Sequence, residues 1–270
     1  MAEISNEESY PNIRESWRVI GTIILFQLLF SIIVTPFETT LGKELTSLIS
    51  YVLTMGVTFV IIHLKRINRQ ETSNYDFGIG SIKIILLLCF ATVAIEIGII
   101  VPIISQIPMS DYMEKILLDD GSSTAVYSFI TIVIAAPIFE ELIFRGIILN
   151  GLLKSYSPLK SIIISSLLFG LVHLNPRQFI VAFILGSLSG WVYFKTNKLT
   201  LSIIIHMTNN FLAFLGQYFR SRDVNLTKST SEYSLTELYG GTTNLIIILT
   251  VAITIALSSI YLLDKEFRKK

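Results

Sequence analysis

The chain consists of long apolar stretches separated by short polar connections. Taking about 20 apolar residues as the length that crosses a bilayer, we find candidate helices at roughly 17–36, 45–64, 82–105, 124–153, 160–174, 178–194, 199–217 and 243–263. Connections are brief except for 65–81, 106–123 and 218–242, and the last is rich in Ser, Thr and charged residues, as in an exposed loop. The pattern predicts an all-α polytopic membrane protein of about eight transmembrane helices, with residues 1–270 in a single membrane domain.

Composition supports a membrane location. Hydrophobic residues make up 52% of the chain and charged residues 15%, and the mean hydropathy is +0.66, which is outside the range of soluble domains. The net charge of +1 comes without a basic patch, so we expect no nucleic-acid partner. A single cysteine, Cys89, excludes an intramolecular disulfide and a cysteine-based metal cluster. The first apolar stretch lacks a small-residue cleavage site and is expected to be retained.

The distribution of Lys and Arg predicts the orientation of the spans. With the N-terminus inside, fourteen basic residues lie on the cytoplasmic side: Arg14, Arg18, Lys65, Arg66, Arg69, Lys83, Lys154, Lys160, Lys195, Lys198, Lys265, Arg268, Lys269 and Lys270. Six lie on the other side: Lys43, Lys115, Arg177, Arg220, Arg222 and Lys228. Because positively charged loops stay in the cytoplasm, we expect a multi-pass protein of the cell membrane with both termini cytoplasmic.

Two carboxylates and a guanidinium interrupt the fourth apolar stretch, in the segment APIFEELIFRG at 136–146. A charge at the bilayer centre costs at least about 2.5–3.5 kcal/mol, so such residues usually serve a function. Glu141 and Arg145 are four residues apart with the acid first, which favours an ion pair on a helix. Glu140 is rotated by about 100° from its neighbour and has no partner in its own segment. Pro137 kinks the helix, which is tolerated where protein or a wet cavity surrounds it. This segment predicts a buried, partly hydrated carboxylate site.

Two of the three histidines lie in later spans. Phe169 precedes His173 by one helical turn, so its ring can pack beside the imidazole and orient it. His206 and Asn210 share a helix face by the same spacing. With a rise of about 1.5 Å per residue from the cytoplasmic ends, Glu140 and His173 lie at about 20 Å and His206 with Asn210 at about 10–16 Å. We expect these residues to converge in one cavity, nearer the cytoplasmic side.

Three motifs follow one another on successive spans: Glu140-Glu141-x-x-x-Arg145, Phe169-x-x-x-His173 and His206-x-x-x-Asn210. In this order they resemble the motifs of the CPBP (CAAX protease and bacteriocin-processing, also called Abi) family of intramembrane proteases, which includes type II CAAX prenyl endopeptidases and immunity proteins. The resemblance covers about residues 130–215, within a motif-bearing core at about 124–217.

The resemblance implies an intramembrane hydrolase that cleaves a peptide bond. It implies Glu140 as the general base, with His173 helping to hold or activate the water, and His206 with Asn210 as the pair that stabilises the oxyanion. Peptide hydrolysis requires these functions, together with protonation of the leaving amine.

Three further motif residues, Glu141, Arg145 and Phe169, are expected to support the site. An internal Glu141–Arg145 pair also has a purely structural interpretation, namely that it holds the helix in place. Asn209, next to Asn210, is a candidate to replace that amide in its role.

A zinc-dependent and a metal-free mechanism both stay open. Glu140, His173 and His206 are the ligand types of a catalytic zinc ion, but the His-Glu-x-x-His spacing of soluble zinc proteases is absent. A base that works without metal needs the same residues, and the resemblance accommodates both versions.

Two other titratable residues lie outside the motifs. Glu96, in the third apolar stretch, is a further intramembrane acid that either pairs with a polar group or lines the cavity. His63, beside Lys65 and Arg66, is expected at the membrane interface and not in the site.

The leading hypothesis is an intramembrane endopeptidase that cleaves a peptide or a membrane-associated protein near the cytoplasmic face. One alternative is a non-proteolytic scaffold of the same fold, such as a bacteriocin-immunity or signalling protein. Another is a proton-coupled transporter, because intramembrane Glu and His also form proton relays, although the chain shows no inverted repeat. The Ile- and Lys-rich composition indicates a bacterial source, where a prenylated substrate is not expected.

The predicted orientation is testable with reporter fusions. A reporter fused after Lys270 should be active on the cytoplasmic side, and one inserted within 218–242 should be active on the opposite side, because of the basic-residue asymmetry. A C-terminal reporter that is active outside the cytoplasm would contradict the eight-span topology.

Overall fold

The protein is described here from a computed structural model, which covers residues 10–69, 74–108, 125–220 and 234–269. These ranges contain no β-strand and form eight main helices: α1 (Ile13–Leu41), α2 (Lys43–Arg69), α3 (Ile82–Ile104), α4 (125–155), α5 (Pro158–Leu171), α6 (Pro176–Thr196), α7 (Leu199–Arg220) and α8 (Thr242–Phe267). Most of the loops predicted at 106–123 and 218–242 lies outside the described residues.

The predicted all-α polytopic class is confirmed. Six helices in the described ranges are long and apolar enough to cross a membrane, namely α1, α2, α3, α6, α7 and α8. Helix α5 is shorter, with 14 residues, and α4 alternates between α- and π-helical winding. The count of eight spans therefore stays a prediction.

Helix α4 is wound irregularly on both sides of its central turn, Ala136–Glu141, which carries the two glutamates. The segments before and after it, Ile130–Ala135 and Leu142–Leu149, are π-helical. In π winding each N–H bonds to the carbonyl five residues earlier, and such turns are rare and frequent at functional sites. Backbone groups released by the irregular winding need other partners, because bilayer lipid offers none.

The first π segment is completed by a side chain from α7. The N–H of Ala136 donates to the carbonyl of Thr131, five residues earlier. The next residue, Pro137, has no N–H to offer the carbonyl of Ile132. Asn210 on α7 fills this gap, since its Nδ2 donates to the Ile132 oxygen over 2.8 Å.

The second π segment is held in the same way from α2 and α5. Arg66, a buried residue of α2, donates from Nη1 to the carbonyl of Gly146 over 2.6 Å and from Nη2 to Asn150 Oδ1 over 3.0 Å. Ser165 on α5 donates from Oγ to the carbonyl of Phe144 over 3.1 Å. Neighbouring helices thus stabilise the winding that positions the two glutamates.

The core is built around α4. Its second π segment contributes fully buried side chains at Ile143, Phe144, Ile147, Ile148 and Leu149. Helices α2, α5, α6 and α7 pack around this segment, α1 packs on α2, and α3 packs on α7 and α8. The outer faces of α1 and α8 expose large apolar side chains such as Leu28 and Leu257, as expected of a surface that contacts lipid.

Helices α5 and α6 approach each other closely at Gly170. A Cβ atom added there would lie 2.7 Å from Cδ2 and 3.0 Å from the carbonyl oxygen of Phe179 on α6. Small residues permit such close helix packing in membrane proteins. The contact lies one residue after Phe169 and three before His173, so it also sets the position of the histidine.

Gly170→Ala should therefore destabilise the protein by about 1–3 kcal/mol, the usual range for overpacking. Gly216→Ala on α7 is the matched control, because a Cβ there meets nothing within 4 Å, and it should leave stability unchanged or raise it. Thermal unfolding in detergent micelles measures both. Equal unfolding temperatures for the two variants would contradict the close packing of α5 on α6.

Candidate active site

A cavity of about 600 Å³ lies between helices α2 to α7. Its walls are mainly apolar, and they include these residues singled out from the sequence: Glu96, Glu140, Glu141, Arg145, Phe169, His173, His206, Asn209 and Asn210. The structure thus brings the motif residues of α4, α5 and α7 together, while their chemical roles stay predictions. His63 is not part of the lining, and its Nδ1 lies 2.9 Å from Tyr75 Oη.

Glu141 engages two partners through one oxygen. Its Oε1 lies 3.0 Å from Arg145 Nη1 and 3.1 Å from His206 Nδ1, and the acid and the guanidinium are each only 1% exposed. The N–H directions of Arg145 make no hydrogen bond with the carboxylate, so the contact is an ion pair. Because a carboxylate accepts hydrogen bonds, Nδ1 of His206 carries a proton and Nε2 is left for other contacts. The pair predicted from the i,i+4 spacing is present, and it also orients His206.

One carboxylate oxygen of Glu140 accepts a hydrogen bond, and the other has no hydrogen-bond partner. Its Oε1 accepts a hydrogen bond of 2.7 Å from Tyr51 Oη on α2. Its Oε2 is buried, has no hydrogen-bond partner and lies 3.8 Å from His206 Nε2, which is beyond hydrogen-bond distance. The Tyr51 bond fixes the carboxylate with Oε2 next to the histidine.

His173 is fixed by Phe169 in two ways. Its Nδ1 lies 2.8 Å from the Phe169 carbonyl oxygen, which can only accept, so Nδ1 carries the proton and Nε2 can accept a hydrogen bond when the ring is neutral. The Phe169 ring lies edge-on to His173 at 5.2 Å and to His206 at 5.5 Å between centroids. Its face also receives Arg145, with Cζ 4.6 Å from the centroid. One aromatic ring therefore separates and orients the two imidazoles.

The neighbouring asparagines are linked in series. Asn209 Nδ2 donates to Asn210 Oδ1 over 3.1 Å, and Asn210 Nδ2 donates to the Ile132 carbonyl. The orientation of the Asn210 amide is thus set from both ends, with one N–H of Nδ2 left over. If Asn209 took over the role of Asn210, the hydrogen bond between their side chains would break. This exchange of roles stays a prediction.

Sequence reasoning missed Tyr51, which contacts the candidate base directly. A signal for it exists in the sequence, because Tyr51, Thr54 and Thr58 recur at helical spacing in an otherwise apolar stretch. Both threonines are fully buried. A polar stripe in a membrane span faces the bundle interior, which is where these residues lie.

The fit of a metal ion is incomplete. Each imidazole engages an oxygen through Nδ1 and leaves Nε2 available, as metal-binding histidines usually do. However, no group of three or more His, Cys, Asp or Glu in the described ranges is arranged to hold a metal ion. We derive no step through a metal, and zinc binding by Glu140, His173 and His206 stays a prediction of the sequence.

Comparison with known proteins supports the family that the motifs indicate. A protein-family model described as type II CAAX prenyl endopeptidase Rce1-like matches residues 122–212. The chain is 28% identical over 222 residues to a Staphylococcus aureus (strain USA300) protein named "Membrane-embedded CAAX protease MroQ", covering 72% of this chain and 86% of that protein. It is 31% identical over 83 residues to the Bacillus subtilis (strain 168) protein named "Putative membrane peptidase YdiL", covering 30% and 34% of the two chains. No solved structure matches the chain.

The buried Glu141–Arg145 ion pair should contribute to the free energy of unfolding in a way that substitutions can test. Glu141→Leu leaves a buried guanidinium without its counter-charge, which should cost about 3–5 kcal/mol, whereas exchange of both partners for apolar residues is often neutral. The double variant Glu141→Leu/Arg145→Met should therefore unfold at a higher temperature than Glu141→Leu alone. The single variant Arg145→Met completes the comparison. If the stability losses of Glu141→Leu and Arg145→Met simply add in the double variant, the ion pair contributes nothing to stability.

Proposed function

Because the chain belongs to the CAAX protease and bacteriocin-processing family of intramembrane proteases, we propose that it hydrolyses a peptide bond in a membrane-associated peptide or protein. The observation that carries the proposal is the state of Glu140. One of its oxygens is held by Tyr51, and the other is buried, without a hydrogen-bond partner and adjacent to His206 in the cavity. A base must reach the proton that it removes. Oε2 of Glu140 makes no other hydrogen bond and can therefore accept one from a water molecule.

In the proposed reaction Glu140 Oε2 accepts a proton from a water molecule as the water oxygen attacks the scissile carbonyl carbon. His173 Nε2 accepts the second hydrogen bond of that water, since its Nδ1 is committed to Phe169. The C–N bond then breaks, and the proton held by Glu140 passes to the leaving nitrogen. The carboxylate is thereby restored for the next cycle.

The oxyanion of the tetrahedral intermediate needs donors placed beforehand. When both nitrogens of His206 carry protons, Nδ1–H donates to Glu141 and Nε2–H donates toward the cavity. The spare N–H of Asn210 is the second donor, and Asn209 holds that amide in place. Glu141 and Arg145 thus support the chemistry without contacting the substrate.

The proposed substrate reaches the site from the bilayer. The cavity has a mainly apolar lining, which suits an apolar peptide segment more than a soluble one. We place cleavage near the cytoplasmic face, in a cell-membrane protein whose termini are both cytoplasmic.

Zinc, if it is required, would be held by Glu140, His173 and His206 and would polarise the water or the carbonyl.

Glu140→Gln should abolish cleavage while leaving insertion and folding intact. The amide keeps the size and one oxygen acceptor but cannot take a proton from water, so we expect a loss on the order of 10²–10⁴ in rate, and His173→Ala should be similarly severe. The measurement follows uncleaved membrane peptides by mass spectrometry in cells that carry the wild type, Glu140→Gln or a deletion.

The matched control is Glu38→Gln, an exposed glutamate at the end of α1, which should behave as wild type. If Glu140→Gln rescues every phenotype of the deletion, the protein acts as a scaffold and the protease proposal is wrong. A chelator on the purified wild type decides the remaining alternative, because loss of cleavage on chelation would exclude the metal-free mechanism.

A further inference from the structure

A third acid, Glu96, lines the same cavity as Glu140. It lies outside the three motifs, and the proposed hydrolysis does not use it. Glu96 begins a π-helical segment, Glu96–Ile100, inside the otherwise α-helical α3. An ionisable side chain in a membrane span and a π turn are each frequent at functional sites.

The π segment is held from the side opposite the cavity. A Cβ atom added to Gly98 would lie 3.0 Å from Cβ of Ala252 on α8, so the two backbones are nearly in contact. Tyr239, which precedes α8, donates from Oη to the carbonyl of Ile97 over 2.5 Å. The wide turn is therefore anchored on α8, and it presents Glu96 to the cavity.

Among the described residues, the carboxyl group of Glu96 has no counter-charge within ion-pair distance. Its Oε2 is buried, and no hydrogen bond or ion pair within the described ranges involves this group. Two guanidiniums also belong to the lining: Arg145 pairs with Glu141, and Arg177 donates from Nε to the carbonyl of Ile107. A cationic partner that enters the cavity would supply the charge and the donor that the described residues do not give this acid.

We propose that Glu96 is a specificity-determining residue that binds a cationic group of the substrate, namely a Lys or Arg side chain or a free amino terminus. This inference rests on the proposed endopeptidase function. A cation supplies both the charge and an N–H donor for the buried Oε2 of Glu96. Because a site built for hydrogen bonding rejects a ligand that leaves it unpaired, the cation fixes which peptide bond lies next to Glu140.

The test measures binding, so that it does not depend on cleavage. The protein with Glu140→Gln is placed in lipid nanodiscs and titrated with fluorescent, end-capped leucine–alanine octapeptides that carry one lysine at each position in turn. Each peptide has a counterpart with norleucine in place of lysine. At one or two positions lysine should bind at least about tenfold more tightly than norleucine, and Glu96→Gln should remove this difference.

Two variants control for folding. Glu96→Asp keeps the charge and should keep the lysine preference. Glu38→Gln removes an exposed acid that is not part of the cavity lining and should change nothing. Thermal unfolding of each variant in the same nanodiscs separates loss of the preference from loss of the fold.

The outcomes distinguish this inference from the proposed function. If no position favours lysine, or if the preference survives Glu96→Gln in a folded protein, Glu96 does not bind a cation and the inference is wrong. Even if the inference on Glu96 is wrong, the proposed function stands when Glu140→Gln abolishes proteolysis in cells. If the wild type cleaves nothing but Glu96 confers the lysine preference, the cation site is real and the proteolytic function is wrong.

Discussion

The contact of one Glu141 oxygen with both Arg145 and His206 is the interaction on which the polar site depends. A guanidinium that is 1% exposed in an apolar bundle requires a counter-charge, and Glu141 provides it from the same helix. The same oxygen fixes the proton of His206 on Nδ1. Since adjacent helical residues are rotated by about 100°, Glu140 points elsewhere, toward Tyr51, and keeps a free oxygen.

This arrangement requires a helix that departs from regular winding. The π segments on both sides of the glutamates rotate them relative to the rest of α4, and they leave carbonyls that lipid cannot satisfy. Asn210, Arg66 and Ser165 bond to those carbonyls from three other helices. Asn210 is therefore part of the support of α4 as well as of the proposed oxyanion site, and its removal affects both.

Local spacing in the sequence predicted contacts within one helix, but it did not identify every partner that comes from another helix. The Glu141–Arg145 pair and the packing of Phe169 beside His173 follow from i,i+4 geometry, and both are present. The Tyr51 bond to Glu140 was missed, because spacing on α2 shows that a face is buried but not which residue it meets. The π winding was missed as well, since Pro137 signals a disturbance but not its form.

Three acids line one cavity and differ in how many partners the chain gives them. Glu141 contacts Arg145 and His206 through Oε1, Glu140 accepts one hydrogen bond through Oε1, and Glu96 has no partner among the described residues; the Oε2 atom of each of the three is buried without a hydrogen-bond partner. In an apolar interior a carboxyl oxygen without a partner favours the entry of a group that can hydrogen-bond to it. The proposed roles follow this order: Glu141 is structural, Glu140 receives water, and Glu96 receives a cation. The chain leaves unpaired the groups that its substrate and water would complete.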